Sequence, residues 1–236
     1  MLPAAHPLLV GVLAPRRARR DLAVFRKSPP DAVEYRADLQ NTISPSRVAK
    51  ALQSLRATCP HPLIFTLRDT SEGGEFDQGD ELRQALYHAA IPHVAAIDIE
   101  IAHRALLKSL HPLLATHKTT IITSFHDFSE TPSARALDSL IRAGFASGAH
   151  IVKLACYSAS PHDALRLLAV PLRFPRLRIA IVGMGPLGRA VRLVAPAFGS
   201  VLGYAAASAA VAPGQLSIDE LRTAWSLLGF ACSLPR

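Results

Sequence analysis

Eight short apolar runs of β character recur from one end of the chain to the other, each followed by a segment with helical spacing. They lie at 8–14, 32–39, 62–68, 93–101, 119–128, 150–157, 178–184 and 200–207. Strands that alternate with helices pair in parallel through right-handed crossovers. Eight such units close into a (β/α)8 barrel, the TIM barrel, more naturally than they spread into an open sheet. No linker or low-complexity break interrupts them, so the pattern predicts an α/β fold with one domain over residues 1–236.

The helical segments carry local signals. Val48, Ala51, Leu52 and Leu55 keep the i, i+3, i+4, i+7 spacing, as do Leu137, Leu140, Ile141 and Gly144. Thr131-Pro132 predicts an N-cap with proline at the first helical position, and Gly148 is placed to end that helix. Ser217-Ile-Asp-Glu220 predicts a capping box before a last helix whose apolar stripe includes Leu221, Trp225 and Leu228. The run Arg16-Arg17-Ala18-Arg19-Arg20 after Pro15 reads as the solvated face of a first helix. A net charge of +8 suits nucleic acid, a membrane surface or an anionic substrate, but the excess is spread along the chain. Half the residues are hydrophobic and 19% are charged, which predicts a substantial core. Cys59, Cys156 and Cys232 lie far apart with no C-x-x-C, as expected of a reducing compartment without structural zinc. The arginines follow the first apolar run, and no apolar run approaches ~18 residues. A soluble cytoplasmic chain with no secretory signal and no membrane partner is therefore expected.

Barrel active sites lie at the C-terminal ends of the strands, and here the strands turn polar late with period-2 spacing. Glu34, Arg36 and Asp38 alternate on the second, and Thr66 and Arg68 on the third. Asp98 and Glu100 end the fourth, Ser124 and His126 the fifth, and Lys153 lies within the sixth. A charge facing the inside of a barrel must be paired or functional, because desolvating it alone costs several kcal/mol. One pair, such as Glu34 with Arg36, could be a structural salt bridge; six strands doing this together predict one polar pocket. Lys153 lies in HIVKLACY, although lysine is among the least buried residue types. Held among apolar groups and near Arg36, Arg68 or Arg192, it would present a neutral amine able to attack a carbonyl. The alternative is an edge lysine snorkelling to solvent. His126, one of ten histidines, is singled out by its place on the polar face as a general acid/base partner. No histidines or acids have metal-ligand spacing, so no metal is predicted.

The ordered motifs are Glu34-Tyr-Arg36-Ala-Asp38, Thr66-Leu-Arg68 with Glu72-Gly-Gly, Asp98-Ile-Glu100, Ser124-Phe-His126-Asp-Phe128, Lys153-Leu-Ala155, Met184-Gly185, Arg192 and Ala212-Pro-Gly-Gln215. From about residue 8 to 230 this set resembles the type I 3-dehydroquinate dehydratases of the shikimate pathway. The resemblance implies that Lys153 attacks the C3 ketone of 3-dehydroquinate and forms a protonated Schiff base. His126 then removes the C2 proton and protonates the departing C1 hydroxyl, with syn loss of water and 3-dehydroshikimate as product. No external cofactor is implied, only the covalent imine. Arg192 would hold the substrate carboxylate, and Glu34, Arg36, Arg68 and Gln215 the ring. Glu72 would support His126 and gate the site, Met184 would wall it, and Asp98 and Glu100 would support the groups that touch substrate. A homodimer is implied, and nucleic acid is not a partner.

Departures are visible. Val211 stands where the family has serine or threonine, so a hydroxyl contact is lost. Tyr204 stands where phenylalanine is common, and Gly11 is the nearest match to a small polar residue of the first strand. Two other enzyme readings compete. Gly183-Met-Gly185-Pro-Leu-Gly188 spells the dinucleotide fingerprint G-x-G-x-x-G, but no acid follows about 20 positions on, and too little chain remains for that fold. A class I aldolase or transaldolase would also use a lysine of the sixth strand but leaves Arg192 and Gln215 unexplained. A third alternative is a catalytically weakened barrel that binds an anionic metabolite.

Overall fold

In the computed structural model, which describes residue 2 and residues 7–230, all eight predicted runs form strands. They are β1 (Leu8–Leu13), β2 (Ala32–Arg36), β3 (Leu63–Thr66), β4 (Ala96–Glu100), β5 (Thr120–Asp127), β6 (Ile151–Tyr157), β7 (Ile179–Met184) and β8 (Leu202–Ala206). The helices are α1 (Ala18–Lys27), α2 (Pro45–Thr58), α3 (Asp80–Ala90), α4 (Arg104–Thr116), α5 (Ala134–Ala146), α6 (Pro161–Arg173), α7 (Gly188–Val194) and α8 (Ile218–Leu227). The strands pair in parallel in the order β7-β6-β5-β4-β3-β2-β1-β8.

The ring closes between β7 and β8 by a thinner seam. Ile179 and Ser200 form an isolated parallel bridge, and Val201 N–H donates to the Ile179 carbonyl at 2.9 Å. The buried Ser200 hydroxyl accepts from Ile181 N–H at 2.9 Å and donates to the Leu202 carbonyl at 3.1 Å. Ser200→Ala would leave the Ile181 N–H without its acceptor, a loss of about 1–3 kcal/mol. A fall of several degrees in Tm is expected in a thermal melt.

Side chains alternate in and out along each strand. Val10, Ile64, Ile122, Ile151, Ala180 and Leu202 share one apolar cluster inside the barrel. Residues one position away, such as Leu9, Val33, Phe65 and Ile97, pack with the helices instead. The inward series then changes chemistry toward the strand ends: Ala32 is followed by Glu34 and Arg36, Ala96 by Asp98 and Glu100, Ile122 by Ser124 and His126, and Ile151 by Lys153. An apolar plug thus supports a polar mouth.

Several local expectations change. The N-cap of α5 is Ser133, whose side chain accepts from Ala136 N–H; Thr131 instead donates to the Tyr157 carbonyl at 2.7 Å. Once Thr131 is held by β6, the cap moves to the first free serine. Pro15 opens a 3-10 turn over Pro15–Arg17, and Arg16 and Arg17 reach neighbouring loops rather than solvent alone. Gly11 faces α1, since a Cβ there would fall 2.6 Å from the Phe25 ring; Val12 is the β1 residue at the mouth. Trp225 is fully buried as barrel packing, but Leu228 is 49% exposed just past α8. The Ser217–Glu220 capping box is formed. Cys59 and Cys156 are buried free thiols, and Cys232 lies outside the described residues. Among the described residues, no helix is long and apolar enough to cross a membrane.

The G-x-G-x-x-G stretch forms the turn from β7 into α7. A Cβ at Gly183 would lie 2.6 Å from Val191, and one at Gly188 would lie 2.9 Å from the Gly183 carbonyl group. These two glycines let helix and strand touch, and Met184 between Gly183 and Gly185 lies at the mouth.

Candidate active site

The polar mouth surrounds a cavity. β2 contributes Glu34 and Arg36, and β5 and β6 contribute His126 and Lys153. Arg68 and Glu72 follow β3. Met184 ends β7, Arg192 comes from α7, Tyr204 from β8, and Val211 and Gln215 from the loop after it. All eleven candidate residues therefore meet at one place.

Lys153 is buried at this mouth, with Nζ 2.7 Å from Asp98 Oδ2, 3.7 Å from Glu34 Oε1 and 4.2 Å from the centre of the Tyr204 ring. The snorkelling alternative is removed. Of the polar set expected to ring one pocket, two carboxylates stand directly beside the amine, where arginines are the near neighbours expected from the sequence. A buried polar group at this depth is thus paired and not isolated.

Asp98 is the hub of this layer. It accepts from Lys153, from Arg68 Nη2 at 2.7 Å and from the Ser124 hydroxyl at 2.6 Å. Burial alone would raise its pKa, but Arg68 and then Lys153 outweigh burial and hold it below the usual carboxylate range. Arg68 also donates to Glu100 at 2.9 Å and to Ser124 at 2.7 Å, so much of its fork is committed to the protein. The salt bridge weighed for Glu34 and Arg36 has different partners. Arg36 grips Asp38 through two bonds of 2.9 and 2.7 Å, while Glu34 accepts from the Thr66 hydroxyl at 2.9 Å.

His126 sits one strand from Lys153; in the register Ser124 pairs with Lys153 and His126 with Ala155. Glu72 Oε2 lies 2.8 Å from His126 Nδ1 and accepts the His126 backbone N–H at 3.0 Å, which leaves Nε2 as the unengaged ring nitrogen. Burial, then Arg68 and Lys153, push the imidazole pKa well below 6.5. Burial lifts the Glu72 carboxyl to about 8, against the pull of Arg68. For Nε2 to accept a proton, the ring's single proton must sit on Nδ1, which requires ionised Glu72.

The acid limb of kcat/KM is therefore expected to rise with pH up to about 8. Glu72→Gln should move that limb below 6.5, where only the depressed histidine titrates. Stability supplies a second readout. The folded carboxyl keeps a proton that the unfolded one releases near 4.5, so its contribution falls as pH rises toward 8. Below 6.5 the histidine opposes this trend, because the unfolded ring binds a proton that the folded ring does not. Wild-type Tm should thus decline between 6.5 and 8, and Glu72→Gln should flatten the decline.

Arg192 is buried and donates only to carbonyls, those of Gly183 at 2.8 Å and Tyr204 at 3.2 Å. It has no acidic partner among the described residues, and burial lowers its pKa to about 10. A buried guanidinium without a counter-charge beside a cavity suits a carboxylate. Val211 and Gln215 bond each other, the Val211 N–H donating to Gln215 Oε1 at 2.8 Å. Phe128 also lines the cavity, although no role was read for it. It packs on Gly73, whose φ of +76° and lack of Cβ admit the ring. The sequence signal for it is an aromatic one position beyond the polar end of β5, in Ser124-Phe-His126-Asp-Phe128. Among the described residues, no three or more His, Cys, Asp or Glu side chains gather as metal ligands.

A buried amine, a carboxyl-oriented imidazole and an uncompensated guanidinium at the strand C-termini define a (β/α)8-barrel enzyme. The chain belongs to the type I 3-dehydroquinase family, whose sequence profile matches residues 11–230. It is 36% identical over 200 residues to the 3-dehydroquinate dehydratase of Methanococcoides burtonii, covering 84% of each chain. It is 33% identical to that of Shigella flexneri, covering 95% of this chain and 93% of the relative. The crystal structure of 3-dehydroquinate dehydratase from Geobacillus kaustophilus superposes with a TM-score of 0.90 at 28% identity, covering 96% of this chain and 92% of that one. The type I enzyme from Clostridium difficile, solved with covalently modified comenic acid, gives 0.88 at 25% identity over 95% and 93%.

Proposed function

We propose that the protein dehydrates 3-dehydroquinate to 3-dehydroshikimate through an imine on Lys153. The amine adds to the C3 ketone and the carbinolamine loses water, leaving a protonated imine that acidifies the C2 proton. His126 Nε2 takes that proton, and the electron pair forms an enamine. The C1 hydroxyl then leaves with the proton returned by His126, and hydrolysis of the new imine releases product and restores the amine. One water is lost overall. Arg192 takes the substrate carboxylate, Glu72 sets the imidazole tautomer, and Glu34, Arg36, Arg68 and Gln215 orient the ring. Asp98 holds the nitrogen in place as amine, ammonium and iminium.

The observation that carries this reading is the burial of Lys153 Nζ against Asp98 in a cavity shared with His126. The covalently modified ligand of the Clostridium difficile relative agrees with a site that forms covalent adducts. The shikimate pathway, a cytoplasmic location and a homodimer belong to the same reading. The test is borohydride reduction in the presence of 3-dehydroquinate. A ligand mass is expected on the peptide that contains Lys153; its absence, with no conjugated enone formed in an ultraviolet assay, defeats the proposal.

A further inference from the structure

Asp21 takes no part in the chemistry above, yet it is fully buried. It lies in the first turn of α1 and accepts from Ala14 N–H at 2.9 Å, from Ser208 N–H at 3.1 Å and from the Ser208 hydroxyl. Ala14 directly follows β1, whereas Ser208 begins the loop after β8. One carboxyl therefore joins the first and last units of the barrel on the side of the mouth.

The loop over residues 207–215 is closed at its neck, where Ala206 N–H donates to the Leu216 carbonyl at 2.7 Å. Its tip bonds to itself through Val211 and Gln215. Between neck and tip, residues 208 and 209 are tied sideways by Asp21 and by Arg17, whose guanidinium donates to the Ala209 carbonyl at 3.1 Å. Arg16 reaches the other way, to Glu75 in the loop that carries Glu72, through bonds of 3.0 and 2.5 Å. The basic run after Pro15 thus bridges the two loops that flank the mouth.

We propose that Asp21, seconded by Arg17, is a positioning residue that latches the 207–215 loop so that Val211, Ala212 and Gln215 wall the cavity. The inference rests on the proposed reaction for its kinetic consequence, but not for the latch itself. Asparagine cannot replace the carboxyl, because its NH2 must face one of the N–H donors that both oxygens now accept. Lys153 and His126 are carried by β6 and β5, while the loop supplies cavity wall and the ring contact of Gln215 but no group that forms the imine or moves the proton, so a loosened latch should act on binding more than on turnover.

Asp21→Asn, Ser208→Ala and Arg17→Met are compared with wild type by steady-state kinetics on 3-dehydroquinate and by amide hydrogen exchange. For Asp21→Asn, KM is expected to rise about tenfold with kcat changed less than about threefold. For Ser208→Ala, which keeps its backbone donor, a rise of about threefold is expected. Exchange should quicken across 207–215 and stay unchanged in β5 and β6. If Asp21→Asn fails to fold, the other two variants, altered on the solvent side of the latch, carry the test. Unchanged KM and unchanged exchange in all folded variants overturn the proposal. So does a fall in kcat at constant KM that matches a loss of borohydride-trappable sites, which would make Asp21 merely structural. A wild type that forms no adduct refutes the reaction instead, and loop exchange then decides the latch alone.

Discussion

Lys153→Ala is expected to cut turnover of 3-dehydroquinate by about 10⁵-fold or more, the scale of a lost, well-oriented intramolecular reactant. No other amine stands at the Asp98 position, so no second group can form the imine, and without the imine the C2 proton keeps the acidity of an ordinary ketone. The variant should also lose the borohydride adduct entirely. The fold should survive, because Asp98 retains Arg68 and Ser124 as partners. Glu34 keeps Thr66. Circular dichroism and the ultraviolet enone assay check both halves, and wild-type turnover in this variant would remove Lys153 from the mechanism.

The second large effect concerns His126. His126→Ala should lower kcat by about 10²–10⁴-fold, the usual contribution of a positioned acid/base. Here trapping and turnover should separate. The amine is still present, so borohydride should label the peptide containing Lys153 to full stoichiometry, though more slowly, while enone formation nearly stops. A variant that turns over normally, or one that never labels, contradicts the assignment of proton transfer to the imidazole. The contrast with Lys153→Ala is informative because one change removes the covalent intermediate and the other strands it.

The barrel was legible in the chain because its period is coarse: eight apolar runs separated by helical spacing leave few topologies. The mouth was legible because an inward polar residue is costly, so the late appearance of Glu34, Arg68, Asp98, His126 and Lys153 on alternating positions carried information. Partnership was not legible. Which acid meets Arg36, or that two carboxylates flank Lys153, depends on strand stagger and side-chain reach of an ångström or two. The pairing of Glu34 with Arg36 therefore gives way to Arg36 with Asp38 and Glu34 with Thr66, and Thr131 loses its cap to Ser133 because a distant carbonyl of Tyr157 claims its hydroxyl. The glycine fingerprint is ambiguous by itself for a related reason: close approach of α7 to β7 and close approach of a pyrophosphate demand the same missing Cβ, and only the missing acid and the short remaining chain tell them apart.

The seam between β7 and β8 has a bearing on how the molecule fails. Seven of its eight strand junctions are full ladders, and the eighth is a clasp of one bridge and one serine. On warming, the ring should part there first. β8 would then carry off Tyr204, and with it the loop bearing Val211 and Gln215, while Lys153 and His126 stayed behind on an intact sheet. Activity would vanish with most of the helices still folded, so heat inactivation should precede the loss of helical signal. The death of the enzyme and the melting of the protein become two separate events.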